Sequence, residues 1–276
     1  MNSLKTFLLL AALTVLLILI GDLVGGPRGM MVFFIIALLM NIMTYWFSDK
    51  IVLAMYGAKP APEDSRLTAI TRQVVQAAGI PMPKVYMIQA DHANAFATGR
   101  NPNHAAVCAT SGILSLLNDE ELKGVIAHEI AHIKNRDILI ATMAAVIAGA
   151  ITMISRTAFF FGGRDDENRN PILGIVILIT APIAAFLIQM AISRSREYMA
   201  DATGASIIHN PRGLASALRK IHLASQRVGI NANPATAHMF IINPLSARGF
   251  ASLFSTHPPV EERIARLEAM TGGAVR

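Results

Sequence analysis

Long apolar runs punctuate the chain, and between them the pattern shortens to the periods of a folded domain. Phe7 to Ile20, extendable through Leu4 and Val24, and Met30 to Phe47 are parted by the turn-like Gly25-Gly26-Pro27-Arg28-Gly29. Each is long enough to cross a bilayer core of about 30 Å as a helix of roughly 20 residues. Two further runs, Ile138 to Ile154 and Pro171 to Ile192, flank the polar segment Gly162 to Asn170 and predict a transmembrane hairpin, with spans over about 138–158 and 171–193. Pro182 removes a backbone donor from the fourth span and kinks it. The first run follows Lys5 as a signal peptide would, but no small-x-small cleavage site follows and a second span comes at once. It is read as an uncleaved anchor.

The remaining polar segments carry shorter periods. Leu67, Ile70, Val74 and Ala77 stand at helical spacing within Ser65 to Ala78, and Gly79 stops that helix. Val85 to Ile88, Ala93 to Thr98 and Ala105 to Thr110 are short and apolar or alternating, and predict a small antiparallel sheet. Asn118 then caps a helix with Glu121 three residues on, as a capping box requires. Leu122, Val125, Ile126, Ile130 and Ile133 give that helix a mostly apolar face. Val260 to Met270 reads as an amphipathic segment. The expected organisation is two spans in 1–47, a first catalytic part in 48–137, the transmembrane hairpin in 138–193 and a second part in 194–276. The fold class is an α+β membrane protein with four transmembrane helices and one domain built from both polar segments.

Composition and charge set the surroundings. A chain 53% hydrophobic and only 15% charged is not a soluble globule. Its net charge of +6 lies beside the apolar runs and not in one dense block, which suits contact with anionic lipid and argues against a nucleic-acid partner. Lys5, Lys50, Lys59, Arg66, Arg194 and Arg196 belong on the cytoplasmic side, while the hairpin tip Arg164 to Arg169 has no positive excess. Both termini and both polar segments are therefore expected in the cytoplasm. The single cysteine, Cys108, makes no internal disulfide and reads as buried and inert.

The capped helix carries His128-Glu129-Ile130-Ala131-His132, an H-E-x-x-H pattern. Residues four apart on a helix differ by about 40° in rotation and 6 Å in rise, so both imidazoles can hold one ion. Zinc accepts such a pair with a carboxylate and keeps a position for water. Glu129 is then placed to act as general base. A chance pentapeptide whose histidines merely pack the helix is the plain alternative, and the capped helix, its apolar flanks and the returning second segment weigh against it. The third ligand is sought where the chain re-enters the cytoplasm, and Glu197 is the acid there. Its plain alternative is a surface pair with Arg194. Asp201, one turn on, is placed to fix a ligating imidazole.

At this point several separated motifs, in order, resemble the membrane-bound M48 metallopeptidases, bacterial heat-shock proteases among them. They are the four spans, Asn94-Ala95-Phe96-Ala97-Thr98-Gly99, the H-E-x-x-H helix, Arg194 to Asp201, Phe254-Ser255-Thr256-His257-Pro258-Pro259 and Glu262-Arg263-Ile264. The resemblance implies a mainly helical, gluzincin-like zincin domain, one Zn2+ per chain on His128, His132 and Glu197, and catalysis by Glu129. It implies cleavage of misfolded or damaged membrane proteins and unfolded polypeptides at the inner membrane, from the cytoplasmic side, as part of a stress response, with self-cleavage as an accompanying activity. The strand holding Asn94, Ala95 and Phe96 resembles the family's cleft edge, which binds extended substrate by main-chain pairing; an ordinary sheet strand is the other reading. His257 and Arg263 are candidates for stabilising the oxyanion, His257 alternatively being a helix-entry residue. A metal-transporting or metal-sensing membrane protein using the same histidines is the competing function, and a holdase with a vestigial site a third. Gln226 to Phe250 reads as a mobile lid or a plain loop.

Overall fold

A computed structural model of the chain describes residues 2–139, 194–227, 241 and 258–272. The expected hairpin of spans, almost all of the segment 226–250 and His257 lie outside the described residues.

Both N-terminal apolar runs fall within α1, Asn2–Met55, which breaks at Gly25 and Gly26; Gly26 has φ 57° and ψ −146°. Beyond the break the chain folds back on itself. Asn41 Nδ2 donates to Thr14 Oγ1 at 2.9 Å across the two arms. Pro27 stands at the start of the second arm, where its missing N–H costs nothing. Among the described residues one helix, Gly25–Phe47, is long and apolar enough to cross a membrane. Its 23 residues rise about 35 Å. Met31, Phe34, Ile35, Leu38, Leu39, Ile42 and Trp46 stand uncovered around it. A helix apolar on all sides belongs in a core or in lipid, and among the described residues no core covers this one.

The sheet is mixed, a correction to the antiparallel expectation. Its order is β1 (Lys59–Pro60), β2 (Lys84–Ile88), β4 (His104–Thr110), β3 (Ala95–Asn101). β3 and β4 form an antiparallel hairpin, but the connection after β2 carries β3 past one strand position, so β4 slots in parallel to β2. Gly99, at φ 136°, allows the tight bulged return, where a Cβ would strike the His104 carbonyl. β3 is left at an edge. Alternation gives the sheet two buried faces: Ala95, Ala97, Val107 and Ala109 join the helical core, while Phe96, Ala106 and Cys108 meet Val52 and Leu53 from the end of α1.

The helical layer comprises α2 (Arg66–Ala78), α3 (Ser111–Leu116), α4 (Asp119–Lys134), α5 (Arg194–Ile208), α6 (Pro211–Arg227) and α7 (Val260–Gly272). α4 is its centre, packed against α2, α5, α6 and β3. The capping box forms as the spacing requires, with Asn118 and Glu121 bonding each other's backbone N–H. Glu121 also accepts from Ser216 Oγ at 2.7 Å and Lys220 Nζ at 2.8 Å, tying α4 to α6. Gly204 lets α5 touch the backbone of α4; a Cβ there would lie 2.9 Å from the Ala127 carbonyl carbon and the His128 nitrogen.

Candidate active site

That close approach of α5 to α4 brings the two halves of the site together. His128 and His132 lie one turn apart on α4, their Nε2 atoms 3.1 Å from each other. Glu197, in the first turn of α5, lies 3.7 Å from His128 Nε2 through Oε2 and 3.5 Å from His132 Nε2 through Oε1. One donor atom from each of the three residues lies within 4.8 Å of the others, a grouping able to hold a metal ion.

The opposite side of each imidazole is anchored. His128 Nδ1 is 2.9 Å from Asp201 Oδ1, and His132 Nδ1 is 3.1 Å from Asp137 Oδ2. A carboxylate at Nδ1 holds the proton there and turns the Nε2 lone pair toward the shared centre. Asp201 was legible as a partner for an imidazole, one turn beyond Glu197. Asp137 was not. It lies past the C-cap of α4 and is turned back by Arg136, a non-glycine residue at φ 57°. An acid two residues past that cap was the only signal, and nothing in the sequence said which way it would point.

Arg263, on α7, is fully buried beneath this layer. Its Nε donates to Asp201 Oδ2 at 2.8 Å, its Nη2 to Asp201 Oδ1 at 2.7 Å, and its Nη1 to the Ile241 carbonyl at 2.9 Å. Nη1 also lies 3.8 Å from Glu197 Oε2. The guanidinium expected to face an oxyanion therefore sits behind the carboxylates, its fork closed on Asp201. His257, its expected companion, is outside the described residues.

The electrostatics follow from burial and these pairs. Burial alone would raise the Asp201 carboxyl, but Arg263 and His128 hold it down at about 2. Burial lowers the His128 imidazole against the pull of Asp201. Burial also opposes a charge on His132, yet Asp137 and then Glu197 raise it to about 10. Burial pushes the Glu129 carboxyl up to about 8, with His132 lowering it and Glu197 raising it. With no metal bound, Asp137 and Glu197 thus favour the protonated form of His132.

Glu129 faces the sheet edge, where its carboxylate accepts the Ala97 backbone N–H. The strand's alternation explains the contact. Asn94 bonds β4's end, its N–H donating to Thr110 Oγ1 and its carbonyl accepting from the Thr110 N–H, each at 2.9 Å. Ala95 and Ala97 therefore turn their backbone to the outer edge of β3. Of the three expected substrate contacts, Ala95 lies on that edge. Asn94 Oδ1 accepts from the Ile241 N–H at 3.2 Å, and Phe96 packs its ring against Tyr56 on the other face of the sheet. Cys108, in β4, is buried, and burial pushes its thiol up to about 12, an unreactive group as expected.

Residues 61–271 match peptidase family M48. The chain is 54% identical over 275 residues to a Protease HtpX homolog of Desulforapulum autotrophicum, covering 96% of this chain and 89% of that one. A Protease HtpX homolog of Ralstonia pickettii is also 54% identical, over 276 residues, covering 98% of this chain and 96% of its own. The crystal structure of S. mikatae Ste24p resembles this fold with a TM-score of 0.51 at 19% identity. That match covers 97% of this chain and 63% of the other, and it speaks for the fold alone.

Proposed function

This chain belongs to peptidase family M48, and from that membership and its site we propose a zinc-dependent endopeptidase of the membrane that cleaves misfolded or damaged membrane proteins from the cytoplasmic side. The observation that carries the reading is the convergence of His128, His132 and Glu197 beside Glu129. Two imidazoles and a carboxylate, with carboxylates behind both rings, fit one zinc ion and leave a fourth position for water. When bound, zinc supplies a Lewis acid that acidifies a water and polarises a carbonyl.

The chain's own groups do the rest. Glu129, buried beside the three ligands, is the group placed to accept the proton of the attacking water and return it to the leaving amine. Asp201 and Asp137 orient the imidazoles, and Arg263 acts through Asp201 as a positioning residue. The outward backbone of Ala95 and the outward carbonyl of Ala97 suit an extended substrate added as a further strand. Gly25–Phe47 serves as the anchor in lipid, and the basic residues at the ends of the apolar runs favour the cytoplasmic side of an inner membrane for both termini and the catalytic residues. Within this reading, residues 138–193 add the second pair of spans, and stress response and self-cleavage accompany the same site.

Metal transport is the weaker alternative, because transport calls for ligands within the spans. His128, His132 and Glu197 instead stand on α4 and α5 of the domain that carries the sheet. The test is degradation of casein by purified protein in detergent, wild type beside Glu129→Gln, with bound zinc measured in both. Zinc in both with cleavage only by the wild type is expected. Zinc retained with cleavage undiminished in the variant would sink the assignment of Glu129.

A further inference from the structure

The candidate span continues without a break into the catalytic domain. Helical geometry in α1 is interrupted only at Gly25 and Gly26, so one arm runs on to Met55. There it lies along the edge strand. The Arg100 guanidinium stacks over the Trp46 ring, 4.3 Å from its centroid, and donates to the Trp46 carbonyl at 3.5 Å. Further along, Tyr56 packs on Phe96 with ring centroids 5.2 Å apart.

The two contacts fix a direction. From Trp46 to Tyr56 is 56 − 46 = 10 residues, about 15 Å of helix. From Arg100 back to Phe96 is 100 − 96 = 4 residues, about 13 Å of strand. Nearly equal rises between matched contacts mean that the arm and β3 run antiparallel, side by side. β3 therefore extends the axis of the span. Its Arg100 end stands where the apolar run closes on the edge-to-face pair Tyr45 and Trp46, the residue types that gather at a bilayer interface. Its Asn94 end points away from that level. Glu129 meets β3 at Ala97, three residues or about 10 Å beyond Arg100.

We propose that β3 is a ruler: resting on the peptidase reading, it directs cleavage of membrane-anchored substrates to bonds about three to five extended residues beyond the bilayer boundary. A chain leaving the bilayer beside α1 pairs along the outer edge of β3 and covers that rise before its backbone reaches Glu129. The substrate class is then an integral membrane protein with an unstructured juxtamembrane segment. A span joined directly to a folded domain cannot supply the extended strand and is spared.

The test uses the full chain with zinc in phosphatidylethanolamine and phosphatidylglycerol liposomes. The substrate is a single-span protein whose long unstructured tail repeats one tetrapeptide, so that every bond type recurs at every distance. Cut positions are mapped by mass spectrometry and compared with those in the same tail as a free peptide. A several-fold excess of cuts near the boundary in the anchored tail, absent from the free one, is expected. The same cut pattern in both would overturn the ruler and leave the peptidase standing. No cleavage of either by zinc-loaded protein would remove the peptidase reading and the ruler with it.

Discussion

Replacing Arg263 by methionine keeps an unbranched stem of similar length and removes the charge. Arg263 is fully buried, with Nε and Nη2 at 2.8 and 2.7 Å from the two oxygens of Asp201. The variant leaves Asp201 ionised without its fork and the Ile241 carbonyl without its donor. Breaking a buried pair from one side costs about 3–5 kcal/mol. At about 2–4 °C per kcal/mol for a domain of this size, the melting temperature falls by about 6–20 °C. The sign with pH is set by Asp201, whose carboxyl is held at about 2 in the fold, below its ordinary value. Its stabilisation is complete above that ordinary value and is lost as pH falls toward about 2, so the full effect is present at neutral pH. The assay is thermal unfolding in detergent with excess chelator, so that metal binding adds nothing. Asp201→Asn with Arg263→Met should recover part of the loss, because no unpaired charge is then buried. A fall of less than about 3 °C for the single variant would mean a solvated carboxylate and would refute the buried brace.

Asp137→Asn should weaken zinc binding about 10- to 100-fold without unfolding the protein, since it loosens the imidazole of His132; unchanged affinity in a chelator competition would show that the 3.1 Å contact orients nothing. Gly204→Ala pushes a methyl into the α4 backbone beside His128 and should cost about 1–3 kcal/mol together with zinc affinity. Normal melting and normal zinc content in that variant would contradict the close helix approach. His132 holds its proton up to about 10 in the metal-free protein, so zinc must expel it, and affinity should rise about tenfold per pH unit between pH 6 and 8. A flat profile, after correction for the chelator's own protonation, would show that His132 enters the site neutral.

Much of the site was legible because its signals are local. Asn118 and Glu121 announce α4, and the four-residue step from His128 to His132 places both imidazoles on one side of it. Glu197 and Asp201 are likewise one turn apart on a single helix. What escaped depends on long-range geometry. The parallel pairing of β2 with β4 rests on the path of the chain between Ile88 and Ala95, which three short apolar runs do not encode. Arg263 shows no sequence feature that tells a brace beneath Asp201 from a donor to an oxyanion, because its partners lie 62 and 22 residues away. The course of α1 along β3 was equally hidden, since an apolar run ends in the sequence without saying what its continuation touches.

All of this chemistry depends on His128, His132 and Glu197 holding one zinc ion. X-ray absorption at the zinc edge of the purified wild type, beside Glu197→Gln, tests it most directly. One zinc per chain is expected, with only nitrogen and oxygen neighbours at about 2.0–2.2 Å, including an imidazole pattern from two rings, and with loss of an oxygen neighbour or of the metal in the variant. A wild type without zinc, or a zinc environment identical in both proteins, would contradict it.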